Sequence, residues 1–257
     1  MKIETILTPA ELPALVRRDL RQTACVVFDI LRATSTFVTA LHNGAAAIVP
    51  VSEIAEAVAL RKQQPDILLA GERAGVRIRA AQSGGMDFDF GNSPREFTPE
   101  KVRGKTIVST TTNGTLALRA GAGAQCVLAA AFLNLAATAE FLRRENFAEI
   151  LMVCAGTGDN VAQEDVLAAG ALIDLLAARE DARPTLSDAS QIALEAFTEL
   201  KLTTSGDLSA ALGDSQNGRR LLAISELRAD VAFCAQRDVF DLVVRLAADG
   251  GLRRMAA

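Results

Sequence analysis

The chain has 257 residues, 50% of them apolar and 23% charged, the balance of a folded core rather than a disordered chain. Lys and Arg number 27 against 31 Asp and Glu, a net charge of −4, which argues against a protein whose main task is holding nucleic acid; Trp and Tyr are absent, so base stacking would fall on Phe. With one histidine, His42, there is no His-ligated zinc site and no HExxH protease, and a Ser-His-Asp triad would have to use that residue.

Taken in chain order, strands and helices alternate. Ala24–Phe28 is a short continuous apolar run, as a strand buried on both faces would be, and it stops at Asp29. The turn Thr34-Ser35-Thr36 leads into a helical stretch to Leu41, and Asn43-Gly44 reads as its C-cap. Ile48–Val51 is a second strand, and Ser52 is the expected N-cap of the next helix. Ile67–Ala70 is a third, expected to end at Gly71-Glu72-Arg73. A Gly-containing stretch from about Ala74 to Pro99 reads as a long loop, a feature that in compact domains is usually functional or disordered. Thr106–Ser109 is a fourth strand, running into Thr110–Thr115 and a helix to Ala120. Cys126–Ala131 and Ile150–Cys154 are further strands, each followed by a helix, the second from Gln163 to about Arg179. The last third reads as mostly helical, with Val239–Leu246 as a closing strand. This rhythm predicts one α/β domain over residues 1–257, a three-layer α/β/α fold with a mainly parallel, or mixed, sheet.

In such sheets, sites form beyond the carboxyl ends of the strands. Polar clusters stand there: Asp29 to Thr36, Gly71-Glu72-Arg73, Ser109 to Thr115 and Cys154 to Asp165, with Asp87 to Pro94 in the long loop. A lone Asp or Thr at a strand end is more often a helix cap. Convergence of acids, arginines and hydroxyl or amide turns on one edge is harder to read as capping alone. Asp29, Glu72, Asp159, Glu164 and Asp165 are hard oxygen donors, which suit Mg²⁺. Arg32 and Arg73 offer planar forks for phosphate, sulfonate or carboxylate. The turn Thr111-Thr112-Asn113-Gly114 offers backbone N–H groups and hydroxyls to an anion. A small, anionic, phosphorylated substrate is the expected partner.

Other phosphoryl-transfer schemes fail on the residues. GxxxxGK[ST] is absent. Six residues after the four cysteines stand Leu31, Phe132, Asn160 and Phe240, so no Cys-x5-Arg loop exists. Asp87-Phe88-Asp89-Phe90 imitates a DxDx[TV] motif but sits in the long loop rather than after a strand, where Asp87 and Asp89 could equally order the loop. The Gly-x-Gly pairs at Gly121 and Gly156 never complete a dinucleotide fingerprint.

With these clusters in view, the sequence resembles the 2-phosphosulfolactate phosphatases, Mg²⁺-dependent enzymes of coenzyme M biosynthesis. The stretches that carry the resemblance are VVFDILRATST (26–36), LLAGER (68–73), FDFGNSP (88–94), STTTNGT (109–115), VCAGTG (153–158) with EDVLAAG (164–170), and SQNGRRL (215–221) with DVAFCAQRD (230–238). They span most of the chain. The resemblance implies hydrolysis of a phosphate monoester on a sulfonated hydroxy acid and a three-layer α/β fold, but no residue-level mechanism. Roles therefore follow from chemistry. Asp29, Glu72 and Asp165 are the expected Mg²⁺ ligands. Asp29, Arg32, Arg73 and Asp165 are the expected catalytic groups. Asn92, Ser93, Thr111, Thr112, Asn113, Gly114 and Cys154 are expected to line the substrate pocket. The Cys154 thiol reads more readily as a packed liner than as a nucleophile, because no His neighbours it. Arg219-Arg220 could reach a partner subunit's site or face water.

The rivals are a Mg²⁺ phosphatase or lyase on another phosphorylated hydroxy acid, and a non-catalytic anion binder. The second has no use for carboxylates that repel its ligand. Cys25, Cys126, Cys154 and Cys234 form no CxxC pair and read as buried residues of a reduced protein. Met1-Lys2-Ile3-Glu4 does not open a signal peptide, and no run of about 18 uncharged apolar residues is present. A cytoplasmic protein with no nucleic-acid or membrane partner is expected, and its Ala-rich helices permit a homo-oligomer.

Overall fold

A computed structural model describes residues 1–15, 17–178, 183–203 and 207–255. Its strands are β1 (Lys2–Ile6), β2 (Thr23–Phe28), β3 (Ala47–Pro50), β4 (Leu68–Arg73), β5 (Val76–Arg77), β6 (Thr106–Thr110), β7 (Cys126–Ala130), β8 (Glu149–Cys154), β9 (Thr185–Leu186), β10 (Val243–Leu246) and β11 (Leu252–Met255). Among the described residues they form one sheet in the order β5-β4-β6-β3-β11-β10-β7-β2-β8-β1-β9. The main helices are α1 (Ala33–His42), α2 (Ile54–Gln63), α3 (Gly114–Ala120), α4 (Leu135–Glu145), α5 (Gln163–Ala177), α6 (Asp188–Thr203), α7 (Leu208–Asp214), α8 (Gln216–Leu222) and α9 (Arg228–Cys234).

Neighbours in the group β7-β2-β8-β1-β9 pair in parallel, as do those in β3-β6-β4. Between the two groups lies the hairpin β10–β11, antiparallel within itself and to both flanking strands. The sheet is therefore mixed, and the two parallel groups run in opposite senses. Gly250, at φ +82°, turns the hairpin. The β2 run Thr23-Ala24-Cys25-Val26-Val27-Phe28 is buried throughout, as a central strand covered on both faces must be. On β6, Ile107 joins the larger hydrophobic cluster and the next residue, Val108, joins the smaller one under α2; Ala70 and Leu69 of β4 divide in the same way. Alternation along a strand thus feeds two separate cores, one on each face.

The expected strands are all present, the closing one beginning at Val243 rather than Val239, and other readings change. The third, expected over Ile67–Ala70 with its end at Gly71-Glu72-Arg73, starts at Leu68 and includes that cluster. Pairing of Gly71 with Thr110 of β6, and of Glu72 and Arg73 with Arg77 and Val76 of β5, carries it through Arg73. A Cβ on Gly71 would run into the Thr110 carbonyl, so only glycine lets the strands approach there. Ser52 is not the cap of α2; Glu53 holds that position, and the Ser52 hydroxyl accepts from Arg119 at 3.0 Å. The long loop is ordered by β5 and by short turns at Ala80–Ser83 and Pro94–Glu96. The helix expected to reach Arg179 is described to Ala177; Arg179 lies outside the described residues. No described helix is long and apolar enough to cross a membrane.

Candidate active site

The ends of β2, β4, β6 and β8 converge on a cavity of about 140 Å³, sized for a compact anion rather than a dinucleotide. Asp29 follows β2 and begins the turn into α1. Its Oδ1 accepts from the Ala33 N–H at 2.9 Å, and its own N–H donates to the Thr34 hydroxyl at 3.0 Å. Among the described residues Oδ2 has no hydrogen-bond partner, and it sits 2.6 Å from where a Cβ on Gly114 would lie. Gly114 is therefore needed to leave room for the carboxylate. Burial pushes the Asp29 carboxyl up to about 6, and the nearby Glu72 and Glu164 add to the shift.

Glu72 also lines the cavity. Its Oε1 accepts from the Thr112 N–H at 2.9 Å and the Thr112 hydroxyl at 2.8 Å, and its Oε2 accepts from the Gly75 N–H at 2.7 Å. The turn after β6 thus directs two of its donors to a protein carboxylate. Thr111 and Gly114, expected in the pocket, do not line the cavity; the Thr111 hydroxyl accepts from the Thr115 N–H and its carbonyl from the Thr115 hydroxyl, closing the turn into α3. Asn113 lines the cavity and donates to the carbonyls of Ala155 and Gly158, pinning the glycine turn after β8.

Asp165 is placed differently from Asp29 and Glu72. It is buried at the start of α5 and does not line the cavity. Its Oδ1 accepts from the Ile30 N–H at 2.8 Å and its Oδ2 from the Gly156 N–H at 3.0 Å, so one side chain ties the end of β2 to the end of β8. Burial, then Glu164 and Asp29, hold its carboxyl well above the usual carboxylate range. Among the described residues no group of three His, Cys, Asp or Glu side chains is close enough to share a metal ion, so Asp29, Glu72 and Asp165 do not form such a trio.

The two predicted arginines also part ways. Arg32 lines the cavity, buried, with NH1 donating to Asp230 Oδ2 and NH2 to the Gly75 carbonyl, both at 2.6 Å. Ser93 does not touch the cavity; its hydroxyl donates to the other oxygen of Asp230 at 2.7 Å. Arg73 lies outside the lining. Its guanidinium donates to the Glu72 carbonyl at 2.7 Å and to the Thr110 hydroxyl at 3.1 Å. Asn92 lines the cavity, and its side-chain amide has no hydrogen-bond partner among the described residues. Cys154 is fully buried at the end of β8, away from the lining, and burial raises its thiol well above the ordinary value. Asp87 and Asp89 order the long loop: Asp87 accepts from the Ala80 N–H, and Asp89 accepts from the Leu69 N–H and pairs with Arg61 at 2.7 Å.

Three site groups come from the C-terminal helices without a strand end to announce them. Asn217 and Arg220 of α8 line the cavity, and Asp230 of α9 anchors Arg32. Asn217 donates to Glu164 Oε1 and to the Thr157 hydroxyl, both at 2.6 Å, and accepts from Arg220 at 3.0 Å. Glu164 is 1% exposed, and its Oε2 has no partner. The segments 215–221 and 230–238 are the only sequence signal for these groups, and they indicate no role. The arrangement brings oxygen ligands, two guanidiniums and an unengaged amide around one small cavity, which is equipment for holding a phosphate ester and stabilising charge on it.

The chain matches the 2-phosphosulpholactate phosphatase family over residues 8–249. A "Probable 2-phosphosulfolactate phosphatase" of Caldanaerobacter subterraneus subsp. tengcongensis is 39% identical over 89% of this chain and 90% of its own. One of the same description from Thermotoga petrophila is 40% identical over 86% of this chain and 88% of its own. Another, from Carboxydothermus hydrogenoformans, is 36% identical over 95% and 92%.

Proposed function

Because the chain belongs to the 2-phosphosulfolactate phosphatase family, we propose that the cavity between Asp29, Glu72, Arg32 and Arg220 is its active site and that it hydrolyses 2-phosphosulfolactate to sulfolactate and phosphate, the type of reaction used in coenzyme M biosynthesis. The observation that carries this reading is the pairing of carboxylates and guanidiniums around one cavity. A cavity lined by the Asp29 and Glu72 carboxylates is a poor host for a polyanionic guest unless a cation joins them.

The donor set fits Mg²⁺. It is all oxygen, Asp29 Oδ2 is unpartnered, and a buried Glu164 oxygen is orphaned behind Asn217. Asp29 and Glu72, the two carboxylates that line the cavity, would hold the ion. Bound there, Mg²⁺ supplies Lewis-acid stabilisation to a phosphoryl oxygen. Asp165 acts as a positioning residue, fixing the β2 and β8 turns through backbone N–H groups. Arg32, immobilised by Asp230 and the Gly75 carbonyl, keeps its fork in place before substrate arrives, so no reorganisation is needed as charge develops. Arg220 and the Asn92 amide take the remaining anionic oxygens. A water attacking phosphorus in line would lose its proton to a carboxylate of this cluster as the P–O ester bond breaks, and that proton would pass to the departing oxygen to give the alcohol. Cytoplasmic location belongs to the same reading, supported by four buried cysteines that form no disulfide.

The test is phosphate release from 2-phosphosulfolactate and a panel of other phosphorylated acids, with Mg²⁺ and with EDTA. Turnover that is greatest on 2-phosphosulfolactate and lost in EDTA is expected. Release from none of the panel would end the reading, and equal release in EDTA would remove the metal from it.

A further inference from the structure

A second, larger cavity opens beside the first. It has a volume of about 560 Å³ and shares Arg32, Gly75 and Asn92 with the catalytic cavity as a common wall. Arg77, Arg79, Arg95 and Lys101 face it besides Arg32, against two carboxylates, Glu96 and Glu226. Glu96 is already committed: it pairs with Arg77 and accepts from the Gly91 N–H at 3.2 Å. Arg95 lies 3.5 Å from Asp230 and within reach of the Glu226 carbonyl. Arg79 and Lys101 are exposed, and among the described residues neither forms an ion pair.

This local excess of cations runs against the net charge of −4. A small polyanion is repelled by such a protein as a whole, but a cleft lined by one sign of charge focuses the field and raises the local concentration of its counter-ion. The groove also leads somewhere. An anion leaving it meets Arg32, whose guanidinium is fixed from behind by Asp230 and borders both cavities.

We propose that the groove is a second anion site, a vestibule that collects small phosphate- or sulfonate-bearing anions ahead of the catalytic cavity. As a route to turnover, this rests on the phosphatase reading above. As a binding site, it stands apart from it.

The experiment compares the wild type with R79E/K101E, and with R17E/K62E as a control of equal charge change whose positions line neither cavity. Binding of inorganic pyrophosphate is titrated calorimetrically in metal-free buffer, and kcat and KM are measured on 2-phosphosulfolactate, each from about 0.01 to about 0.5 M ionic strength. The groove variant is expected to bind pyrophosphate about tenfold more weakly at low salt and to lose most of the salt dependence. Its kcat is unchanged, its kcat/KM falls about tenfold at low salt, and the gap closes at high salt. The control behaves as the wild type. A groove variant that binds pyrophosphate as the wild type does, a wild type that does not bind it, or a control that loses as much, overturns the vestibule. A wild type that binds pyrophosphate through Arg79 and Lys101 yet releases phosphate from no phosphorylated acid upholds the vestibule and sinks the phosphatase reading instead.

Discussion

The strand-end rim and the C-terminal helices hold their charges by different means. On the rim, carboxylates take backbone N–H groups: Asp29 from Ala33, Glu72 from Gly75 and Thr112, Asp165 from Ile30 and Gly156. In the helices, charged groups and amides take partners from distant side chains: Asp230 holds Arg32, 198 positions away, and Asn217 holds Glu164, 53 positions away. A rim carboxylate is held by main-chain N–H groups, close in sequence for Asp29 and 135 positions away for Asp165, so its partners persist whatever side chains change. A helix-borne charge exists in its buried form only while its partner is there. Loss of a rim group should therefore cost chemistry or a modest amount of stability, and loss of a helix-borne partner should cost the fold.

The largest effect expected is on chemistry. Asp29→Asn keeps an oxygen for the Ala33 N–H, so the fold survives, while phosphate release falls roughly 10³-fold, the scale of a lost transition-state contact. Near-normal kcat in this variant would remove Asp29 from the site. Next in size is Asp230→Ala, which strands a guanidinium whose side chain is 2% exposed; stability in urea should fall by about 3–5 kcal/mol. A loss under about 1 kcal/mol would erase the contrast between the two regions.

Titration sharpens the same comparison. The folded Asp29 carboxyl, at about 6, lies above its ordinary 3.8, so the folded chain pays for the charge at neutral pH and not at low pH. Metal-free Asp29→Asn should be more stable than metal-free wild type by no more than about 3 kcal/mol at pH 7, and the advantage should close as pH falls from about 6 towards 3.8. An advantage that grows on acidification would show that burial does not govern this group. Asp165→Asn comes next. Its Nδ2 would confront the N–H of Gly156 or Ile30, and a buried donor left unmatched costs about 1–3 kcal/mol in urea denaturation. The smallest effect is expected of iodoacetamide: Cys154 is fully buried and its thiol is held neutral, so activity should be retained in full.

Much of the rim was legible in the sequence because parallel strands buried on both faces leave continuous apolar runs that stop abruptly. Phe28-Asp29 and Cys154-Ala155-Gly156 are such stops, and Asp29, Glu72, Thr112, Asn113 and Arg32 all reach the cavity. The runs fail as signals where a strand is short or two-faced. β1, with Glu4 and Thr5 between its apolar residues, and β11, Leu252-Arg253-Arg254-Met255, carry no continuous apolar run. Direction at a strand end is also unwritten. Arg73 follows Glu72 on β4, so the two side chains leave opposite faces of the strand, one to the cavity and one to the Thr110 hydroxyl.

Alone, the sequence determined the α/β class, the strand ends where polar groups gather and the family to which the chain belongs, because apolar periodicity and short motifs are local properties. Only the tertiary structure decided which charges meet. The antiparallel hairpin β10–β11 enters the middle of the sheet, and α8 and α9 deliver Asn217, Arg220 and Asp230 to Asp29 and Arg32. Those encounters join residues more than a hundred positions apart, and no local pattern records a contact that long-range packing alone creates.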